Sequence, residues 1–244
     1  EPYRRQRQMC IRDRVTEAHV KEFNPDSDPM FVYEGGSPGI KVKAEELKQS
    51  LVKALEAENL KSELKIPVTE TQPKTTVEDV KKQTVKLSEY TTYSTNTENG
   101  THNMALSLAA ANGTVLKPGE IFSFNETTGD TTTGALGYLP ATGISNNKSV
   151  QVYGGGICQS STTIYGAALR ADMEIVTRYN HRWPSSYVPI GQDATVDYPS
   201  TDFQFKNSSD YPVYIKAYMD GRTLVVQILS LIHISEPTRP ISIS

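Results

Sequence analysis

The sequence predicts an α+β protein: a small N-terminal α+β module followed by a strand-rich α+β domain with a cysteine helix behind a glycine run. Three observations predict it. Up to about residue 87, charge-rich helical periodicities alternate with short strands. From about residue 88, Thr, Ser, Asn, Gly and Tyr become frequent and long charged side chains scarce, which suits strands joined by many turns. Within that second stretch, Gly154-Gly155-Gly156-Ile157-Cys158-Gln159 opens a helical segment that runs to about Asp172. A chain of 244 residues holds one or two domains. No apolar run approaches the ~18 residues of a membrane span, and no signal peptide is visible.

In the first module a strand is expected near Met30-Phe31-Val32-Tyr33, then a helix from Ala44 to Ala57 with Leu47, Leu51, Ala54 and Leu55 as its buried stripe. Leu64, Ile66 and Val68 alternate as in a half-buried strand, and Pro73 breaks the chain. Thr76, with Asp79 three residues on, caps a second helix carrying Val77, Val80 and Leu87. In the second domain a helix fits Asn103 to Ala111, ending at Asn112-Gly113, and Lys117-Pro118-Gly119-Glu120 turns into the strand Ile121 to Phe124. After the cysteine helix, strands are expected at Val188 to Val196, Phe203 to Phe205 and Val213 to Tyr218. Asp220-Gly221 then makes a hairpin turn into Thr223 to Ile228.

Both ends read as foreign to the protein. Met9-Cys10-Ile11-Arg12-Asp13 and Leu229-Ser230-Leu231-Ile232-His233 can be encoded by opposite strands of one short DNA that resembles a transposon-type sequencing adapter. Residues 1–14 and 229–244 are therefore set aside, leaving a module at 15–87 and a domain at 88–228. Six arginines and three acids leave with the ends, so 25 basic and 28 acidic residues fall to 19 and 25, a net charge of −6. An acidic chain without a basic stripe is a poor partner for nucleic acid or an anionic membrane surface. Cys10-Ile11-Arg12 imitates an L,D-transpeptidase cysteine motif but lies in the adapter stretch. Without Cys10, Cys158 is the single thiol, and no internal disulfide is possible.

A thiol behind glycines at a helix N-terminus is placed for chemistry, because the helix end favours thiolate. The sharp reading makes Cys158 a nucleophile, His181 its general base and Asp193 the group that orients the imidazole, spaced 23 and then 12 residues apart. Pairing with imidazole lowers a thiol pKa from ~8.5 to ~4. Gln159, or the Cys158 backbone N–H, is the candidate oxyanion donor. The bland reading makes Cys158 a small buried hydrophobe, with the glycines serving tight packing and His181 in a surface turn. A binding reading uses the aromatics around the same segments, with Tyr138, Tyr153, Trp183 and Tyr187 lining a groove floored by Gly154, Gly155 and Gly156. Aromatic faces with polar tips suit sugar rings and peptide stems. His19, His102, His181 and the one cysteine show no paired ligand spacing, so neither a metal nor another cofactor is expected.

The segments Leu116-Lys117-Pro118-Gly119-Glu120-Ile121-Phe122-Ser123-Phe124-Asn125, Gly154 to Thr163, Gly191-Gln192-Asp193-Ala194-Thr195-Val196 and Phe205-Lys206-Asn207 occur in the order seen in VanW-like proteins. That family is named from an accessory protein of a vancomycin-resistance cluster, and the resemblance covers about residues 88–228. Residues 15–87 resemble the peptidoglycan-binding domain that often precedes VanW domains in Gram-positive surface proteins. Together these resemblances imply an extracytoplasmic, cell-envelope protein, membrane-anchored in full length by an N-terminal segment outside this fragment. Peptidoglycan or its stem peptides would be the partner, with no nucleic acid. The order Cys, His, Asp is also that of transglutaminase-like and papain-type enzymes, which implies a cysteine-dependent acyl transferase or peptidase. The alternative is a non-catalytic peptidoglycan-binding module with a structural cysteine.

Overall fold

The computed structural model describes residues 14–57, 63–145 and 148–232 and has an α+β fold. The chain divides into two compact units: one takes the residues up to Glu22 and Phe31–Lys82, the other Phe23–Met30 and the chain from Gln83. Of the ends set aside as adapter, residues 1–13 and 233–244 lie outside the described residues. No helix among the described residues is long and apolar enough to cross a membrane.

The N-terminal unit pairs β1 (His19–Phe23) with β2 (Phe31–Glu34), and β3 (Gly39–Val42) antiparallel with β4 (Val68–Thr71). Helix α1 (Ala44–Glu56) forms where its periodicity places it, but none of its residues is buried. The expected stripe is thus corrected, with Leu51 46% and Leu55 60% exposed. Strand β4 begins only at Val68, leaving Leu64 and Ile66 outside regular structure and exposed. Helix α2 (Val77–Gln83) carries the expected capping box: Thr76 N–H and Oγ1–H donate to Asp79 Oδ2 at 2.9 and 2.6 Å, and Asp79 N–H returns to Thr76 Oγ1 at 3.2 Å. Leu87 does not extend this helix. The β-branched pair Thr84-Val85 starts a strand whose pairing to the C-terminal strand wins over helical continuation.

In the larger unit the elements run β5 (Thr84–Tyr93), α3 (Glu98–Ala111), β6 (Val115–Leu116), β7 (Ile121–Ser123), α4 (Phe124–Thr128), β8 (Pro140–Ser145), β9 (Lys148–Tyr153), α5 (Ile157–Arg170), β10 (Glu174–Thr177), β11 (Gln204–Lys206), β12 (Val213–Asp220) and β13 (Thr223–Leu231). An antiparallel sheet in the order β5-β13-β12-β6 forms its centre. Strand β13 pairs with β5 as far as Leu231↔Thr84, so the chain crosses the expected boundaries at Ser88 and Ile228 without a break. Asp220↔Thr223 closes the expected hairpin around Gly221, whose φ of 56° suits glycine. Helices α3 and α5 pack on this sheet. Leu108, Ile164, Phe203, Phe205, Ile215 and Ile228 are fully buried in the core between them.

Helix α3 starts at Glu98, five residues before the expected start, because Thr97 caps it by accepting from Gly100 N–H at 3.3 Å. The three-stranded sheet β10-β11-β7 and the hairpin β8-β9 complete the unit. Between β10 and β11 the chain makes no strand at Val188 to Val196, contrary to expectation. Its backbone is held by single bonds instead of a ladder, with Ala194 N–H donating to Thr162 Oγ1 at 3.0 Å and Thr195 N–H to Tyr179 O at 2.8 Å.

Candidate functional site

Helix α5 is the platform of the site. Ten of its fourteen residues are buried, Ser160, Ser161, Thr162 and Thr163 among them. Such a polar run can be buried because its hydroxyls have partners. Ser107 Oγ donates to Ser160 Oγ at 2.8 Å, Thr163 Oγ1 bonds Gln159 O at 2.7 Å and Thr92 Oγ1 at 2.8 Å, and Ser161 Oγ donates to Ala194 O at 2.5 Å. The last bond, with those of Thr162, straps the 193–196 loop onto the helix one turn beyond Cys158.

Strand β9 feeds through the glycine run into this helix. Gly156 is its N-cap at φ 102°, a conformation that L side chains rarely adopt. At Gly155 any Cβ would run into the Ala141 carbonyl of β8. The run therefore does two things: it turns the chain sharply, and it seats the hairpin against the helix end. Cys158 sits in the first turn, half-buried, on a cleft of about 770 Å³. That volume lies within the range of small-ligand sites, ~300–1,000 Å³.

The structure brings Cys158, His181 and Asp193 together. Asp193 Oδ2 accepts from His181 N–H at 2.6 Å and lies 2.5 Å from His181 Nδ1. Its Oδ1 faces Arg178 Nη2 at 3.6 Å. Nδ1 is committed to the carboxylate, and the imidazole lines the same cleft as the Cys158 thiol, near enough for each to shift the other's pKa. The sulfur also lies 3.5 Å from Thr195 Oγ1 and 3.4 Å from Val196 O. The side chains of His181 and Asp193 are only 18% and 6% exposed.

Electrostatics follow from this packing. Burial pushes the Cys158 thiol up, but the hydrogen bond and charge of His181 outweigh it, helped by the Val196 backbone and Thr195, and the thiol lies below its ordinary pKa. For His181, burial pulls down while Cys158 and then Asp193 push up, and the net direction is up. Burial also raises Asp193, yet the hydrogen bonds of His181 leave it below the usual carboxylate range. All three shifts are in the direction that favours the ionised forms, thiolate, imidazolium and carboxylate.

The comparisons with known proteins come to the same stretch. The family model described as "VanW like protein" matches residues 99–229, more than half of the chain. This chain belongs to the VanW-like family. It is 38% identical over 148 residues to the uncharacterized protein YoaR of Bacillus subtilis (strain 168), covering 60% of this chain and 48% of YoaR. It is 28% identical over 142 residues to the vancomycin B-type resistance protein VanW of Enterococcus faecalis (strain ATCC 700802 / V583), covering 54% of this chain and 50% of that protein. The chain thus spans about half the length of the curated relatives it matches. No solved structure matches it significantly.

Several expected site residues of this VanW-like domain lie elsewhere. Gln159 faces away from the thiol: it is buried, and its Nε2 donates to Thr92 Oγ1 at 3.1 Å, so it is no oxyanion donor. Tyr138 is a core residue whose hydroxyl reaches Thr128 O at 3.4 Å, and burial raises its pKa to about 12. Trp183 is 56% exposed and outside the cleft lining. Gly154, Gly155, Gly156, Tyr153 and Tyr187 do line the cleft. Burial raises the Tyr187 hydroxyl, and the nearby Cys158 charge raises it further.

Three contributors were missed in the sequence. Arg178 holds the acid's loop, with Nε donating to Asp193 O at 2.7 Å and Nη2 to Gly191 O at 2.6 Å. Thr195 touches the sulfur, and Asn96 lines the cleft beside Gly156 of the glycine run. Thr97, a good N-cap type, was the available signal for Asn96, since it would have placed the start of α3 beside the site. Arg178 and Thr195 carry no signal beyond proximity to His181 and Asp193.

Proposed function

We propose that this VanW-like protein belongs to the cell envelope and acts on peptidoglycan stem peptides by thiol acyl transfer or amide hydrolysis through Cys158, His181 and Asp193. The observation that carries it is that Cys158, with its lowered thiol, and His181, raised and bonded to Asp193, line one cleft of about 770 Å³. The envelope assignment rests on the family, one of whose members is named for vancomycin resistance. In this reading the N-terminal unit associates with peptidoglycan, and a membrane anchor belongs to the longer protein.

The chemistry balances within the site. Cys158 thiolate attacks an amide carbonyl, a C–S bond forms, and the π pair moves onto oxygen. Collapse of that adduct breaks the C–N bond, and His181 imidazolium gives its proton to the departing amine. A second amine or a water then attacks the thioester while His181 takes its proton, releasing the acyl group and the thiolate. Asp193 stays ionised and holds the ring in place.

The test is digestion of purified peptidoglycan with the protein and with Cys158→Ala, followed by fragment masses. New masses with the wild type alone are expected; identical profiles would sink the enzymatic reading. Tyr153, exposed on the cleft, favours the second reading, a wall-binding module with an incidental thiol. Under it both proteins sediment with peptidoglycan and neither changes a mass.

A further inference from the structure

Since Gln159 faces away from the thiol, acyl transfer here needs another donor for the developing oxyanion. We propose that the Asn96 side-chain amide and the Cys158 backbone N–H form the oxyanion hole, an inference that rests on the acyl-transfer reading and deepens it.

Asn96 stands on the link between β5 and α3, immediately before the helix cap Thr97. Its backbone is fixed on both sides: the carbonyl accepts from Arg222 Nη1 at 2.7 Å, and the N–H donates to Ser94 Oγ at 3.2 Å. Its Oδ1 accepts from Thr97 N–H at 2.8 Å. That bond sets the orientation of the amide, because exchanging O and N would place two donors face to face. Nδ2 is therefore the atom left over. It has no hydrogen-bond partner among the described residues, and Asn96 lines the same cleft as Cys158.

The placement is close. Nδ2 lies 3.0 Å from where a Cβ on Gly156 would stand, two residues before Cys158. On its other side the Asn96 side chain lies flat on Gly100, where any Cβ would collide with it. Two glycines thus make room for one amide. The Cys158 N–H is the natural second donor. Its neighbours Ile157 and Gln159 bond Gly154 O and Gly156 O at 3.2 and 3.0 Å, whereas the Cys158 N–H finds no acceptor among the described residues, as befits the first turn of a helix. A carbonyl attacked by the Cys158 sulfur would place its oxygen between a fixed amide N–H and a helix-end N–H.

Two reactions of the thiol separate this role from a merely structural one. Acylation of Cys158 by p-nitrophenyl acetate, followed by mass and by nitrophenolate release, passes through an oxyanion; alkylation by iodoacetamide does not. Asn96→Ala should slow acylation by ~10²–10³-fold, the usual cost of one oxyanion donor, and leave the alkylation rate and its pH profile unchanged. Asn96→Asp keeps the acceptor for Thr97 N–H and guards against misfolding. It should lose acylation as well, with any effect of its charge on the thiol read separately in the alkylation profile. If wild-type Cys158 is acylated and both variants match it, the oxyanion role is overturned while acyl transfer stands. If wild type is acylated no faster than Cys158→Ala, acyl transfer falls, and this inference with it.

Discussion

Helices α1 and α5 have thirteen and fourteen residues, and each does the opposite of what its side chains suggest. Helix α1 carries leucines at helical spacing and buries none of its residues; α5 carries Ser-Ser-Thr-Thr at its middle and buries ten. The difference lies in what the rest of the unit places across from each helix. For α5, Ser107, Thr92 and Ala194 meet the hydroxyls one by one, so a polar face becomes a buried one. For the proposed chemistry this matters, because a helix anchored along its first turns can keep the Cys158 thiol in fixed relation to His181.

The largest effect should come from the core beneath α5. Phe203 is fully buried and meets Phe122, Phe205 and Tyr165 at centroid distances of 6.5, 5.9 and 5.6 Å. Phe203→Ala should cost ~3–5 kcal/mol in denaturant unfolding. A cost near zero would mean that the region beneath α5 is no better packed than α1, and the comparison would break.

Next comes the thiol itself. Burial alone would push Cys158 up, so removing the imidazole leaves only the raising influence and the weaker help of Val196 and Thr195. In wild type, iodoacetamide labelling should persist below the ordinary thiol range and decline only as pH falls through the lowered Cys158 pKa. In His181→Ala the inflection should move up to ~8.5 or above, cutting labelling at pH ~6 by ~10²-fold. Stability follows the same signs. The lowered Cys158 contributes above its unfolded pKa and loses that contribution as pH falls through the folded value; the raised His181 contributes below ~6.5 and loses it as pH rises through its folded value. Equal inflections in the two proteins would show that His181 does not reach the sulfur in solution.

How much of this was legible depended on whether the signal was local. The Thr76–Asp79 capping box, the Asp220-Gly221 hairpin and the helix behind Gly156 all rest on neighbours in sequence, and all could be read. Cys158, His181 and Asp193 were found as residue types in a plausible order, and their convergence depends on a loop that no periodicity announces. Val188 to Val196 looked like a strand because its apolar residues alternate. The structure makes it a loop whose backbone meets the side chains of Thr162, Ser161 and Arg178 and the single carbonyl of Tyr179 rather than a strand ladder. Gln159 and Tyr138 failed for a related reason: sequence proximity to the thiol does not tell which way a side chain points.

A smaller effect tests the strap between α5 and the loop. Thr162 Oγ1 accepts from Ala194 N–H at 3.0 Å and donates to Ala194 O at 3.3 Å, both in the buried interior. Thr162→Val keeps the shape and strands a buried N–H, which should cost ~1–3 kcal/mol. Because Asp193 immediately precedes Ala194, labelling of Cys158 at pH ~6 should also slow, though less than in His181→Ala. A stability loss with unchanged labelling would show that the strap supports the fold without positioning the triad.

The smallest effect belongs to α1. Leu55 is 60% exposed, so Leu55→Ala removes a side chain that has gained little from folding, and alanine is the better helix former. The expected change in unfolding free energy is within ~0.5 kcal/mol of zero. Here the larger number is the informative one. A loss of ~2 kcal/mol, the scale of a buried leucine, would mean that the leucine stripe of α1 is covered in solution and that its sequence pattern had been right about burial. The contrast with α5 would then be one of partner chemistry, apolar against hydroxyl, rather than of burial against exposure.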